Sequence, residues 1–124
     1  MKTKKLKILI AEDNKVADLL FTLVLEEYAY KILHAETGIE AVTISRENPD
    51  IDLLVMDVKM PEMDGYEAAR QIRLFNKTIV IIAQTAYVLP GERDKAIEAG
   101  CNDYLSKPLR INELLAIIDN YFNS

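Results

Sequence analysis

The apolar runs of this chain are short and largely unbroken, and that constrains its fold more than any other feature. Leu6–Ala11, Leu53-Leu54-Val55-Met56 and Ile79-Val80-Ile81-Ile82-Ala83 lack the strict polar alternation of a half-exposed sheet. Strands of this kind are buried on both faces, as in parallel sheets covered by helices. Between them, apolar residues recur at helical spacing. Val16, Leu19, Leu20 and Leu23 give a first helix behind an Asn14 cap. Lys31–Ala35 is a more polar run, expected nearer a sheet edge. Thr37 and Glu40 form a capping box that opens a second helix, which stops near Asn48-Pro49. Asp64 and Glu67 repeat the pattern and start a third helix toward Phe75. A fourth is expected over 91–99, with Gly100 as its C-terminal cap. Tyr104-Leu105-Ser106 is a short fifth strand, and Leu114, Ile117, Ile118 and Tyr121 mark a last amphipathic helix.

Strand and helix thus alternate five times, with no linker or repeat. Parallel strands joined by right-handed crossovers follow, in a doubly wound α/β sheet with helices on both faces. The 124 residues are one domain's worth of chain. A formal net charge of -5 argues against direct nucleic-acid contact, which usually needs a basic stripe. Lys2, Lys4, Lys5 and Lys7 read as a solubilising lead into the first strand. Cys101 is the single cysteine, so no internal disulfide forms, in keeping with a reducing cytoplasm. No signal peptide is visible, and no apolar run nears the roughly 18 residues of a spanning helix. The expectation is a cytoplasmic protein without membrane contact, or a soluble piece of something larger. His34 and Cys101 read as packing or surface residues.

In doubly wound sheets, ligands bind at the carboxyl ends of the strands. Glu12 and Asp13 follow the first strand, Asp57 ends the third, Thr85 ends the fourth and Lys107 follows the fifth. Scattered surface charge would not mark strand ends so consistently. Three carboxylates brought together repel one another, and protonation, a cationic side chain or a metal relieves them. A hard divalent cation suits oxygen ligands, Mg²⁺ best, and no His/Cys cluster favours zinc. The rival explanation is that the acids are separate helix-start residues, since acids favour helix N-termini. A carboxylate beside Mg²⁺ is a competent nucleophile toward phosphorus. Lys107 can contact a phosphate oxygen as a point charge, and the Thr85 hydroxyl can donate to another.

These segments resemble the receiver domain of two-component response regulators along nearly the whole chain. The resemblance rests on Ile8-Leu9-Ile10-Ala11-Glu12-Asp13-Asn14 and on Met56-Asp57-Val58-Lys59-Met60-Pro61-Glu62-Met63-Asp64-Gly65. It continues through Gln84-Thr85-Ala86 and from Ala99 to Pro108. It implies a single receiver domain over 1–124, with flavodoxin-like strand order 2-1-3-4-5. Asp57 would take a phosphoryl group from the phosphohistidine of a histidine kinase or histidine phosphotransfer domain. Glu12, Asp13, Asp57 and the backbone carbonyl of Lys59 would hold Mg²⁺. Thr85, Ala86 and Lys107 would bind the phosphoryl group, and Tyr104 would rotate inward behind Thr85. Helix four, strand five and helix five would face the downstream protein. The Lys107-Pro108 bond is often cis in such domains. The segments 60–65 and 99–108 resemble receivers of hybrid histidine kinases in particular.

Three rivals remain. An aspartyl-phosphate enzyme of the haloacid dehalogenase-like group would carry a second Asp where Lys59 stands. A flavin-binding electron carrier would need a phosphate loop where Glu12 and Asp13 repel phosphate. A pseudo-receiver scaffold would usually lack one of the key residues. Lys59 and Tyr87 flank the expected path of the hydrolysing water in the resembled family. A long cation and an aromatic ring there predict slow self-dephosphorylation. Replacing both with alanine (Lys59→Ala, Tyr87→Ala) should shorten the phosphorylated lifetime several-fold in a phosphate-release assay; an unchanged or longer lifetime would refute the screening role.

Overall fold

A computed structural model of the chain describes residues 5–86 and 89–122. Five parallel strands form one sheet in the order β2-β1-β3-β4-β5. The strands are β1 (Leu6–Ala11), β2 (Ala29–Ala35), β3 (Leu53–Asp57), β4 (Val80–Thr85) and β5 (Asp103–Ser106). The helices are α1 (Lys15–Leu25), α2 (Gly38–Glu47), α3 (Gly65–Arg73), α4 (Glu92–Ala99) and α5 (Ile111–Phe122). A 3-10 turn, Glu26–Tyr28, leads from α1 into β2.

Burial on both faces divides the core in two. Leu9, Ala11, Leu54, Met56, Ile81 and Ala83 point to the side covered by α2, α3 and α4. Their neighbours Ile8, Ile10, Leu53, Val55, Val80 and Ile82 point to the side covered by α1 and α5. Successive strand residues therefore bury into opposite layers, which is why these runs carry no polar alternation. The edge strands β2 and β5 are less buried, and β2 is the more exposed, as its polar composition suggested.

The caps explain where helices start. Asn14 Oδ1 accepts from the Ala17 amide at 2.9 Å, and Thr37 Oγ1 from the Glu40 amide at 3.0 Å. Asp64 Oδ1 accepts from the Glu67 amide at 2.9 Å. The reciprocal halves of the two capping boxes differ from expectation. Glu40 reaches one residue further back, to the Glu36 amide at 2.7 Å, and Glu67 turns instead to Arg70 and Gln71. The third helix ends at Arg73, short of Phe75, where the Leu74 amide takes up a tighter bond to Gln71. Gly100 adopts φ 109° and closes α4 as a left-handed cap.

Two expectations need correction. Lys7 is no solubilising lead. It lies within β1, 8% exposed, paired with Asp50 at 2.9 Å and with Asn48 at 3.0 Å. Lys2 and Lys4 lie outside the described residues. The Val16, Leu19, Leu20 and Leu23 stripe does mark a helix, but it faces outward; Val16 is 77% exposed and Leu19 and Leu23 58%. Phe21 and Leu25 fill the core instead. The helix is apolar on two faces, and the sheet can cover only one.

The loop from β3 to α3 lies hard against the strand. The Gly65 amide donates to the Val58 carbonyl at 2.7 Å, and a Cβ on Gly65 would sit 2.6 Å from the Asp57 carbonyl oxygen. Gly65→Ala must therefore push the loop off the end of β3. It should cost roughly 1–3 kcal/mol, read as a lower denaturation midpoint in urea.

Candidate functional site

All five acids and polar groups singled out at strand ends lie at the carboxyl edge of the sheet. β1 delivers Glu12 and Asp13, β3 ends in Asp57, β4 ends in Thr85, and the residue after β5 is Lys107. One carboxylate oxygen from each of Glu12, Asp13 and Asp57 falls within 4.8 Å of the others. Glu12 is 3% exposed and Asp57 5%, whereas Asp13 is exposed. Two acids are thus sunk in the floor of the site and one closes its rim.

Backbone bonds fix this convergence. The Val58 amide donates to the Gln84 carbonyl at 2.9 Å, and the Lys107 amide to the Thr85 carbonyl at 2.8 Å. These bonds carry the parallel register past the last strand residues, so the side chains at the strand ends stay aligned. The Lys107-Pro108 peptide is cis, as the sequence suggested. Lys107 Nζ reaches Asp57 Oδ2 at 3.0 Å, and the Lys59 amide lies 3.3 Å from Asp57 Oδ1.

Glu12 carries the electrostatic strain of the site. Burial pushes its carboxyl up to about 7, and the neighbouring Asp57 charge adds to the effect. The Asn14 amide donates to Oε2 at 3.1 Å and opposes the shift. Oε1 is buried without a hydrogen-bond partner. A buried, unpartnered carboxylate oxygen beside two other acids fits a hard cation, so the residues present suit a divalent metal.

Thr85 is buried and Ala86 exposed at the same edge. Tyr104 sits half-buried in β5, packed against the core layer beneath α4. Lys59 is exposed at the rim, and Tyr87 lies outside the described residues. His34 lies one residue before the carboxyl end of β2, exposed, with its Nδ1 2.8 Å from Asp18 Oδ1. Cys101 is buried, its thiol pushed up to about 12 by burial, and so inert as a nucleophile.

Two features escaped the sequence. The exposed α1 stripe adjoins the site, and Val16, Ala17, Leu20, Lys107, Pro108 and Leu109 line a shared groove of about 540 Å³. The helical period found the residues but could not say which apolar face would stay uncovered. The second is a hydrogen bond from the Tyr66 hydroxyl to the buried Glu92 carboxylate, joining the first turns of α3 and α4. Nothing in the sequence marks Glu92, and only packing shows its partner.

A family model described as "Response regulator receiver domain" matches residues 8–119. The chain is 40% identical over 124 residues to hybrid signal transduction histidine kinase G of Dictyostelium discoideum, covering 96% of this chain and 4% of that protein. It thus spans only a small part of that relative. Among solved structures it resembles the receiver domain of the Saccharomyces cerevisiae response regulator Ssk1, crystallised with the histidine phosphotransfer protein Ypd1. That match has a TM-score of 0.89 and 32% identity, covering 98% of this chain and 92% of the other. It also resembles the receiver domain of a Pseudomonas aeruginosa sensor histidine kinase, crystallised with a magnesium ion in its active site cleft. Here the TM-score is 0.82 and the identity 36%, covering 98% of this chain and all of the other.

The Glu12 shift gives a pH dependence with a definite sign. Its folded value lies above the ordinary 4.5, so its contribution to stability is full below about pH 4.5 and is lost as pH rises through about 7. Metal-free protein should melt at lower temperature at pH 8 than at pH 6, by this group's contribution. A divalent cation held by Glu12 would suppress that loss and would bind more tightly as pH rises, since it would displace the Glu12 proton. Glu12→Gln should flatten both trends in thermal melts run with and without the metal.

Proposed function

Because the chain belongs to the response regulator receiver domain family, we propose that Asp57 is its phosphoacceptor and that the domain is a phosphorelay switch. The buried Asp57 carboxylate, paired with Lys107 and flanked by Glu12 and Asp13, carries this reading. Residues 1–124 form one receiver module, supported by the single sheet with its two core layers. The setting is cytoplasmic; no helix among the described residues is long and apolar enough to cross a membrane.

An Asp57 carboxylate oxygen attacks the phosphorus of a phosphohistidine. The new O–P bond forms as the P–N bond breaks, and the imidazole nitrogen leaves with its electron pair. Glu12, Asp13, Asp57 and the Lys59 carbonyl would hold Mg²⁺. When bound, that ion offsets negative charge on the transferring group. Lys107 begins paired to Asp57 Oδ2 and is within reach of a phosphoryl oxygen once that carboxylate is esterified. Thr85 supplies a hydroxyl at the same edge, and Ala86 its backbone amide. Tyr104 then takes up the room that Thr85 leaves, carrying the change toward β5. Lys59, exposed at the rim, screens the acyl phosphate from water.

The donor must bring its histidine to Asp57 past the rim of the site. The exposed α1 face is the apolar surface that continues into that rim, through Pro108 and Leu109. A histidine-bearing helix of a kinase or phosphotransfer protein docked there would place its imidazole over the carboxylates. The Ssk1–Ypd1 complex shows that a domain of this fold meets such a donor. A separate surface serves output. Ile97, Ile111 and Tyr121 are exposed on α4 and α5, beside a groove of about 380 Å³ lined by β5 and α5. A downstream protein would read the switch there.

Two phosphodonors separate chemistry from docking. With acetyl phosphate and Mg²⁺, the wild-type chain should gain one phosphoryl group by mass spectrometry, and Asp57→Asn none. With a phosphorylated histidine phosphotransfer protein, Leu19→Ser combined with Leu23→Ser should slow transfer at least roughly tenfold, as loss of an apolar anchor of about 1.4 kcal/mol would. The same variant should react normally with acetyl phosphate. An Asp57→Asn chain that still gains the group would end the assignment.

A further inference from the structure

We propose that the Tyr66–Glu92 hydrogen bond ties the start of α4 to the loop that carries Asp57, and that this tie restrains passage to the phosphorylated arrangement. The inference rests on Asp57 as phosphoacceptor, but the tie itself is visible in the packing. Glu92 is 6% exposed, a rare position for a carboxylate, and the Tyr66 hydroxyl donates to it. Burial and the Glu92 charge both raise the Tyr66 phenol above its ordinary value, so it remains a donor.

Each end of the tie is placed where it matters. Tyr66 follows Gly65, whose backbone lies against Asp57 and Val58. It therefore keeps a fixed position relative to the phosphoacceptor. Glu92 opens α4, the element that follows β4 and its terminal Thr85 in the chain. A change at the end of β4 that moves α4 must therefore strain or break the bond at Glu92.

The remaining anchorage of α4 is slight at its N-terminal end. Beyond Glu92, its buried residues are Ala96 and Ala99, which offer little apolar surface. Its N-cap, Gly91, makes no side-chain bond. Arg93 pairs with Asp103 at 3.0 Å, but the Arg93 side chain is 58% exposed, and such pairs hold weakly. Arg73 holds the other end of the helix, donating to the Gly100 carbonyl at 2.8 Å, so it is at the N-terminal end that one hydrogen bond to a buried carboxylate has leverage over its position. In the arrangement seen here, Lys107 is engaged with the Asp57 carboxylate itself, and the tie belongs to that arrangement.

The test compares Tyr66→Phe, Glu92→Ala, their combination and Glu92→Gln, which keeps an oxygen to accept the phenol. Two quantities are read: amide hydrogen exchange along α4, and the acetyl phosphate concentration that half-phosphorylates the protein in Mg²⁺. Tyr66→Phe and Glu92→Ala should each speed α4 exchange by on the order of tenfold, with α1 and α5 unchanged. Each should lower the half-phosphorylating concentration. The combined variant should match the singles, since both remove one interaction, and Glu92→Gln should stay near wild type. Unchanged α4 exchange, a uniform rise in every helix, or additive singles would each overturn the tie. A wild-type chain that acetyl phosphate never modifies would instead remove the phosphoacceptor reading, while the exchange arm would still judge the hydrogen bond.

Discussion

Mutual repulsion among Glu12, Asp13 and Asp57 is the constraint around which this structure is arranged. Two of the three are nearly inaccessible to water, and one is driven up to about 7. No fold gathers carboxylates in this way for stability. The sheet absorbs the cost because its core is completed independently on both faces, from Leu54 and Ile81 on one side to Ile8 and Ile82 on the other. Rigid strands then hold the acids where a flexible loop would let them separate.

The same edge shows how charge is balanced without being cancelled. Lys107 offsets Asp57 but stays partly exposed, its side chain 35% accessible. It can therefore leave one oxygen for another at modest cost. Had it been fully buried, the ion pair would be harder to exchange. Glu12 Oε1 has no such partner and keeps a demand for a cation. A site with one mobile counter-charge and one unmet acceptor is suited to a ligand that brings both metal and phosphoryl oxygens.

Much of this was legible in the sequence because it depends on local rules. Unbroken runs such as Ile81-Ile82-Ala83 announced two-sided burial, and the polar Lys31–Ala35 run announced an edge. Acids at strand ends announced the site, since strand direction alone decides where they gather. What stayed hidden depended on competition between surfaces. Both faces of α1 are apolar, and only assembly with the sheet chose Phe21 and Leu25 over Leu19 and Leu23. Lys7 looked like part of a basic lead until its partners, Asn48 and Asp50, were brought beside it across the chain. Glu92 carries no mark in the sequence, because its partner lies on another helix.

The uncovered face of α1 has an evolutionary corollary. Among the described residues, its side chains make no hydrogen bond or ion pair to Asp57, Glu12 or Lys107, although Val16 and Leu20 line the groove that Lys107 shares. Under the proposed reading, drift at Leu19 or Leu23 would change which donor docks while leaving the Asp57 carboxylate as it was. Duplicated copies of such a module could become insulated from one another through a handful of surface replacements, with no need to reinvent the reaction.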